Sequence, residues 1–330
     1  MLKWILTLSF TFYTLSHADD LKASYNAGYK VEVHQGWDLF LKGSFIWWQA
    51  RQEGMELAIT QPQGTSLPID STVIQMKYKY KPGFQVLAGY KSTYDDWQFS
   101  AAYTWLYFTE RQFSAAPNAP IGNLKPLWLN TSTAANTTSS KWRLSLNLVD
   151  ANLVREFFVS KKFLFSSFAG LRASIIDQEY NVSYTYSNLS PTSKNNSDSW
   201  GLGTRLGLRA KWMLGEGFSI FAKTFGSLLY TKFDLKNVQR QVENPSIINI
   251  QAKDTVKALT PNAEFALGFD WGSFFADRKW YVDFAVSYDF QVFFNQNRMA
   301  LFADEFFFST SKELSNLYLH GLTVSGRIDF

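Results

Sequence analysis

Charged side chains set at intervals of two are the chemical feature of this chain. Lys77, Lys79 and Lys81 occupy every second position, as do Arg205, Arg209 and Lys211 around a glycine. Lys42, Lys91, Arg143, Arg172 and Arg327 stand in stretches with the same alternation, and Asp38, Glu264, Asp270, Asp283, Asp289 and Asp329 take equivalent places with the opposite sign. A spacing of two puts side chains on one face of an extended strand, so these groups are expected to line a shared interior. A wall of Lys and Arg favours anions. Set against carboxylates across a narrow interior, the same groups would pair into salt bridges instead. Both arrangements fit. Basic residues on one stretch facing acidic ones on another would give a transverse field in the first case and cross-strand bridges in the second.

Covalent catalysis finds little support. The chain has no Cys and three His. A hydrolase needs a nucleophile and a base within reach of each other. His34 lies in the N-terminal leader and His320 on the apolar face of the last strand, neither beside an inward Ser or carboxylate. Nothing specific supports an all-carboxylate site on Glu264, Asp283 or Asp289. With no glycine-rich phosphate loop, metal-ligand cluster or nucleic-acid motif, we expect no enzymatic activity, no cofactor, no metal and no nucleic-acid partner.

The charged positions must be held by the strands that carry them. Ten period-two stretches are legible: Trp37 to Ala50, Ile74 to Lys91, Trp97 to Tyr107, a strand opening at Trp142, Phe163 to Ile175, Trp200 to Trp212, Phe218 to Phe233, Pro261 to Trp271, Trp280 to Val292, and Tyr318 to Phe330. Pro82-Gly83 reads as a bulge in the second, and the parity of the fourth breaks near Asp150, where another bulge is expected. Opposite the charged set, most strands carry an apolar, aromatic-rich face. Trp142, Leu144, Leu146 and Leu148 belong to it, against Arg143. Connections alternate between long and short. Together with a C-terminal strand ending on Phe330, this points to an all-β fold: a transmembrane antiparallel β-barrel of about ten strands, with short periplasmic turns and long extracellular loops. Closure of the last strand on the first would leave no unpaired edge in lipid. Trp37, Trp97, Trp142, Trp200, Trp212, Trp271, Trp280 and Phe330 are the expected aromatic girdles. A β-sandwich has less use for aromatics on so many strands.

The ends of the chain agree with export. Lys3, an apolar run to Leu15, and small residues Ser16 and Ala18 read as a signal peptide over residues 1–18, too short to span a bilayer. A periplasmic leader is expected over 19–36 and the barrel over 37–330. Two loops carry more apolar residues than solvent exposure favours: Leu124 to Leu129, and Met299 to Phe308. They would either fold into the barrel mouth as a constriction or pack on the rim and lipid interface, and we favour the rim.

Several segments resemble the Legionella-type pore-forming outer-membrane proteins, a family often described as similar to the chlamydial major outer-membrane protein. They are Trp37 with Gly43 to Ala50, Lys81 to Phe84, Asp96-Trp97, Gly170 to Arg172, Gly201 to Arg205, and the C-terminal strand. The resemblance implies a porin-like barrel in the outer membrane of a Gram-negative bacterium. We therefore expect passive diffusion of small hydrophilic solutes with a weak anion preference. The competing expectation is a surface adhesin or structural barrel with a plugged lumen. Expected partners are outer-membrane lipid, the permeant solutes, and the barrel-assembly machinery acting on the C-terminal strand. A homo-oligomer stays open, although the absence of cysteine removes the cross-linking common among such proteins.

Overall fold

The computed structural model describes residues 38–60, 71–92, 97–116, 124–129, 134–186, 190–240, 248–299 and 314–330. The expected signal peptide, leader and Trp37 lie outside these residues.

The strands are β1 (Leu39–Gln52), β2 (Ala58–Thr60), β3 (Val73–Ile74), β4 (Tyr80–Lys91), β5 (Trp97–Ala115), β6 (Leu124–Pro126), β7 (Thr137–Ser160), β8 (Phe163–Thr185), β9 (Thr192–Gly215), β10 (Phe218–Arg240), β11 (Ile248–Phe275), β12 (Trp280–Asn297) and β13 (Ser315–Asp329). Ten of them close an antiparallel ring in the order β1-β13-β12-β11-β10-β9-β8-β7-β5-β4, while β3-β2-β6 form a separate small sheet. β13 zips onto β1 from Phe40↔Asp329 to Gln52↔Leu317. The last residue continues the ladder, as Phe330 N–H donates to the Leu39 carbonyl at 2.9 Å. No edge of the ring is left to lipid.

The strands are longer than the sequence pattern suggests. β9 has 24 residues and β11 has 28, whereas about 9–11 cross a bilayer. At about 3.3 Å per residue and a tilt near 40°, the wall rises well past the hydrocarbon on the side of the long connections. On β9 the outward face is apolar from Trp200 to Trp212, then carries Asp198, Asn196 and Lys194. Residues 192–199, which precede the period-two stretch read from the sequence, are therefore wall as well. Lipid demands apolar residues outside only where there is lipid.

Above that level the rule inverts, and three expectations are corrected. Trp142, Leu144, Leu146 and Leu148 point into the barrel and are buried, so Trp142 is no girdle residue. Arg143 points outward, where it binds Glu179 at 2.8 Å, and does not line the lumen. The alternation of β7 runs unbroken through Asp150, which is inward and buried, with no register shift there. What changes near this position is the solvent outside: Val149 beside it and Leu153 below it face lipid, whereas Arg143 and Ser145 farther up face water.

The second strand is also shorter than expected. β4 starts at Tyr80, and Pro82 and Gly83 pair with Trp47 and Ile46 without a bulge. Residues 75–79 lie across the mouth. Tyr78 packs edge-on against Trp142 at 5.6 Å, Met76 is buried, and Lys77 and Lys79 are exposed. These two lysines are not lumen-lining.

The small sheet and the segment Leu124 to Leu129 fill the mouth from within, against the expectation of rim packing. Met55, Leu57, Ala58, Leu124, Trp128 and Leu129 join Phe108, Trp142, Tyr180, Tyr184, Phe293 and Leu319 in one buried core. Each large side chain placed there contributes about 1.5–3 kcal/mol. Two wall tyrosines fasten the plug. Tyr184 Oη donates to the Leu57 carbonyl at 2.6 Å and Tyr180 Oη to the Met55 carbonyl at 3.2 Å. Burial pushes both phenols upward, so they stay protonated donors. Met299 belongs to the same core, and the rest of the second apolar loop lies outside the described residues.

Outside, just above the apolar band, Asp177, Asp198 and Asp234 sit directly across from one another on β8, β9 and β10. Partial burial, and then Asp177, Asp234 and Glu179, raise the Asp198 carboxyl. A carboxylate raised by folding opposes stability above its folded pKa, and that cost vanishes as the pH falls through it. Asp198→Asn is therefore expected to stabilise the barrel by about 0.2–1 kcal/mol at neutral pH and by nothing at acid pH. Urea unfolding at two pH values measures it.

Candidate functional site

Below the plug, the lumen is polar and carries two charged levels. The upper is a chord of side chains across part of the ring. Arg172 on β8 donates from Nε and Nη2 to the two carboxylate oxygens of Asp150 on β7, both at 2.6 Å. Its Nη1 reaches Asn262 at 2.7 Å and also binds Glu264, both on β11. Arg205 on β9 donates to Glu264 at 2.7 Å and to Asn152 at 3.2 Å, and Gln291 on β12 donates to Glu264 at 3.2 Å. Two guanidiniums face two carboxylates, so the chord is neutral. The Arg205 guanidinium also lies over the Phe225 ring at 3.6 Å. Gly207 makes this stack possible, because a Cβ there would come within 2.0 Å of that ring.

The chord leaves the β1, β4 and β5 side of the lumen hollow. A cavity of about 200 Å³ runs beside it, bounded by Phe40, Gln85, Asn152, Arg205 and Glu264 and reaching Ile46 and Trp48 of the plug core. A second cavity of about 310 Å³ continues to the periplasmic turn at Gly215 and Gly217, and the two share Lys42, Glu156, Arg209, Lys223 and Arg327.

This lower chamber is predominantly basic. Arg209 and Lys211 share Asp270, at 3.2 and 2.8 Å, and Ser219 donates to the same carboxylate. Arg327 holds Asp329 through Nε and Nη2 at 2.6 and 2.9 Å, and Lys91 binds Asp329 as well. Asp283 lies 4.0 Å from Lys211. Asp289 accepts from the hydroxyls of Ser287 at 2.8 Å and Thr323 at 2.5 Å. Of the expected lining residues, the structure thus brings Arg172, Arg205, Arg209, Lys211, Glu264, Asp270, Asp283, Asp289 and Arg327 into the interior. Lys81 turns inward higher up, 3.6 Å from Glu110.

Three charges of the chord and the lower chamber escaped the sequence reading. Asp150 and Glu156 fall at and beyond the point where the sequence pattern of β7 predicts a break in parity. Lys223 sits on β10, whose two faces both carry apolar residues, Phe221 and Phe225 inward and Ile220 and Leu228 outward, so the alternation is faint. Its signal is the turn at Gly215, Glu216 and Gly217, whose φ values are 127°, 51° and 85°. That tight hairpin sets Lys223 directly opposite Arg209, on the same face.

The aromatics outside frame the band. Trp200 and Trp212 stand half exposed at its two ends on β9. Trp280 meets Phe330 at 5.9 Å and Trp271 stacks on Phe284 at 6.5 Å near the periplasmic end. Trp97 lies there too, under the Arg155 guanidinium at 5.4 Å.

A family model described as the Legionella pneumophila major outer membrane protein precursor matches residues 17–330. The chain belongs to that family. Membership of the Legionella major outer-membrane protein family, with the closed ring, places it in the bacterial outer membrane. No curated protein matches by sequence. Among solved structures, this family member is similar to the outer membrane protease OmpT from Escherichia coli, at 10% identity and a TM-score of 0.41, covering 88% of this chain and 96% of that one. It is also similar to a Pseudomonas aeruginosa FadL homologue, at 7% identity and a TM-score of 0.25, covering 88% and 89%. Likenesses this distant carry no argument about activity.

Proposed function

We propose that this barrel is an outer-membrane channel for small hydrophilic solutes, preferring anions, and closed at its outer mouth in the conformation described. One observation carries the reading. In the mouth, connecting segments pack against inward wall side chains such as Trp142 and Tyr180, whereas the wall beneath encloses two adjoining charged cavities. A barrel serving only as a scaffold gains nothing from leaving basic groups around a hollow, since burying unpaired charge costs stability. The tilt of that wall toward Lys and Arg supports anion preference. The half-exposed aromatics at both ends of the band support girdles at the two interfaces, and cleavage after Ala18 would deliver the barrel from the periplasm.

A second reading has its own support. An apolar plug tied down by Tyr180 and Tyr184 suits a structural or adhesive barrel that never opens. Recording the refolded protein in planar bilayers separates the two. The channel reading predicts discrete, small, intermittent steps as the plug yields, and unbroken silence from folded protein would support the scaffold.

A further inference from the structure

We infer that the periplasmic chamber is a binding site for a small, doubly charged oxyanion of the phosphate class, held between Lys42 and Lys223. The inference deepens the anion preference proposed above, but it does not require the barrel to conduct.

The argument begins with strand register. Lys223 lies directly across from Arg209, and Lys42 directly across from Arg327, all four facing the chamber. Like charges opposed on neighbouring strands repel, and two such pairs meet in one cavity. The carboxylates nearby are mostly committed. Asp270 serves Arg209 and Lys211, and Asp329 serves Arg327 and Lys91. Neither Lys42 nor Lys223 has an ion pair among the described residues. Six cations line or reach this chamber against Asp270, Asp283, Glu156 and the underlying Asp329. Asp289, in the adjoining cavity, accepts from Ser287 and Thr323 and lowers the surplus without cancelling it.

A hollow of about 310 Å³ with surplus positive charge stabilises an anion, and its size limits that anion to a compact one. Lys ammonium groups suit a phosphate as point charges, while the fork of Arg209 can offer further N–H donors. Chloride would satisfy the charge but not the several donors. Access is from the periplasm, since the chamber reaches the turn at Gly215 and Gly217 while the plug closes the other end.

The test is calorimetric titration of the full refolded chain in non-ionic detergent with inorganic phosphate, at constant ionic strength in KCl. Wild-type protein is expected to show one saturable site. Lys42→Met and Lys223→Met should each weaken it at least tenfold, the double variant should abolish it, and Lys161→Met on the exposed β7–β8 turn should leave it unchanged. Phosphate should also raise the thermal unfolding temperature of the wild type above that in KCl alone, which needs no variant to fold. Absence of saturable binding by folded wild type, or undiminished binding by a folded double variant, overturns the site. Silent bilayers with phosphate bound would remove the channel and keep the site; conduction without phosphate binding would do the reverse.

Discussion

Arg172→Met is expected to destabilise the barrel by about 3–5 kcal/mol, because it removes one partner from a buried ionic network. Arg172 is 2% exposed, and its guanidinium is the main partner of an Asp150 carboxylate that is 4% exposed. Once it is gone, Arg205, 3.9 Å from Asp150 and already engaged by Glu264, must serve both carboxylates. The loss belongs to the stranded charge more than to the contact itself. The double change Arg172→Met with Asp150→Leu should therefore cost clearly less than Arg172→Met alone. Urea unfolding in micelles measures both, and equal losses would show that packing, not charge, is at stake.

Removing residues 122–129 is expected to raise single-channel conductance several-fold while the barrel stays folded. This segment supplies Leu124, Trp128 and Leu129 to the core in the mouth, and its β6 is one of the two strands on which β2 pairs. Without it the Trp128 indole no longer donates to the Glu56 carbonyl, and the two Tyr184-linked amides of Leu127 and Trp128 are gone. The remaining plug keeps the Tyr180 and Tyr184 hydroxyls and the contacts of Glu53 and Tyr78 with the wall, but loses its cover over the lumen. The ring itself depends on none of these contacts, since its ladder runs unbroken from β4 round to β1. The cavity beside the ionic chord would then continue past Ile46 and Trp48 to the outside.

Ten strands, their closure and the alternation of long and short connections were legible because lipid imposes period two on every strand that crosses it. The clean stretches, Trp200 to Trp212 and Trp280 to Val292, lie where lipid is outside and a charged lumen inside. Legibility failed where that boundary condition failed. At Trp142 to Leu148 the apolar parity is the same as in a lipid-facing strand, but the residues belong to a core inside a wall standing in water. At Ile74 to Tyr80 one unbroken parity spans a plug segment and the start of β4, and only the structure shows the reversal between Tyr78 and Tyr80. The plug was invisible as a fold because its segments have no period of their own; only the apolar content of Leu124 to Leu129 hinted at it. The charged chamber was partly legible, since Arg209, Lys211, Asp270 and Arg327 lie on clean strands. Lys223 lies on a strand apolar on both faces, where only pairing across a turn locates it.

The most direct test is the reversal potential of the barrel lacking residues 122–129, recorded in a planar bilayer across a KCl gradient. A lumen walled by Lys42, Arg209, Lys211, Lys223 and Arg327 predicts a potential displaced toward chloride, and a smaller displacement when Lys42 and Lys223 are both methionine. A potential displaced toward potassium, from a barrel that conducts, would contradict the account.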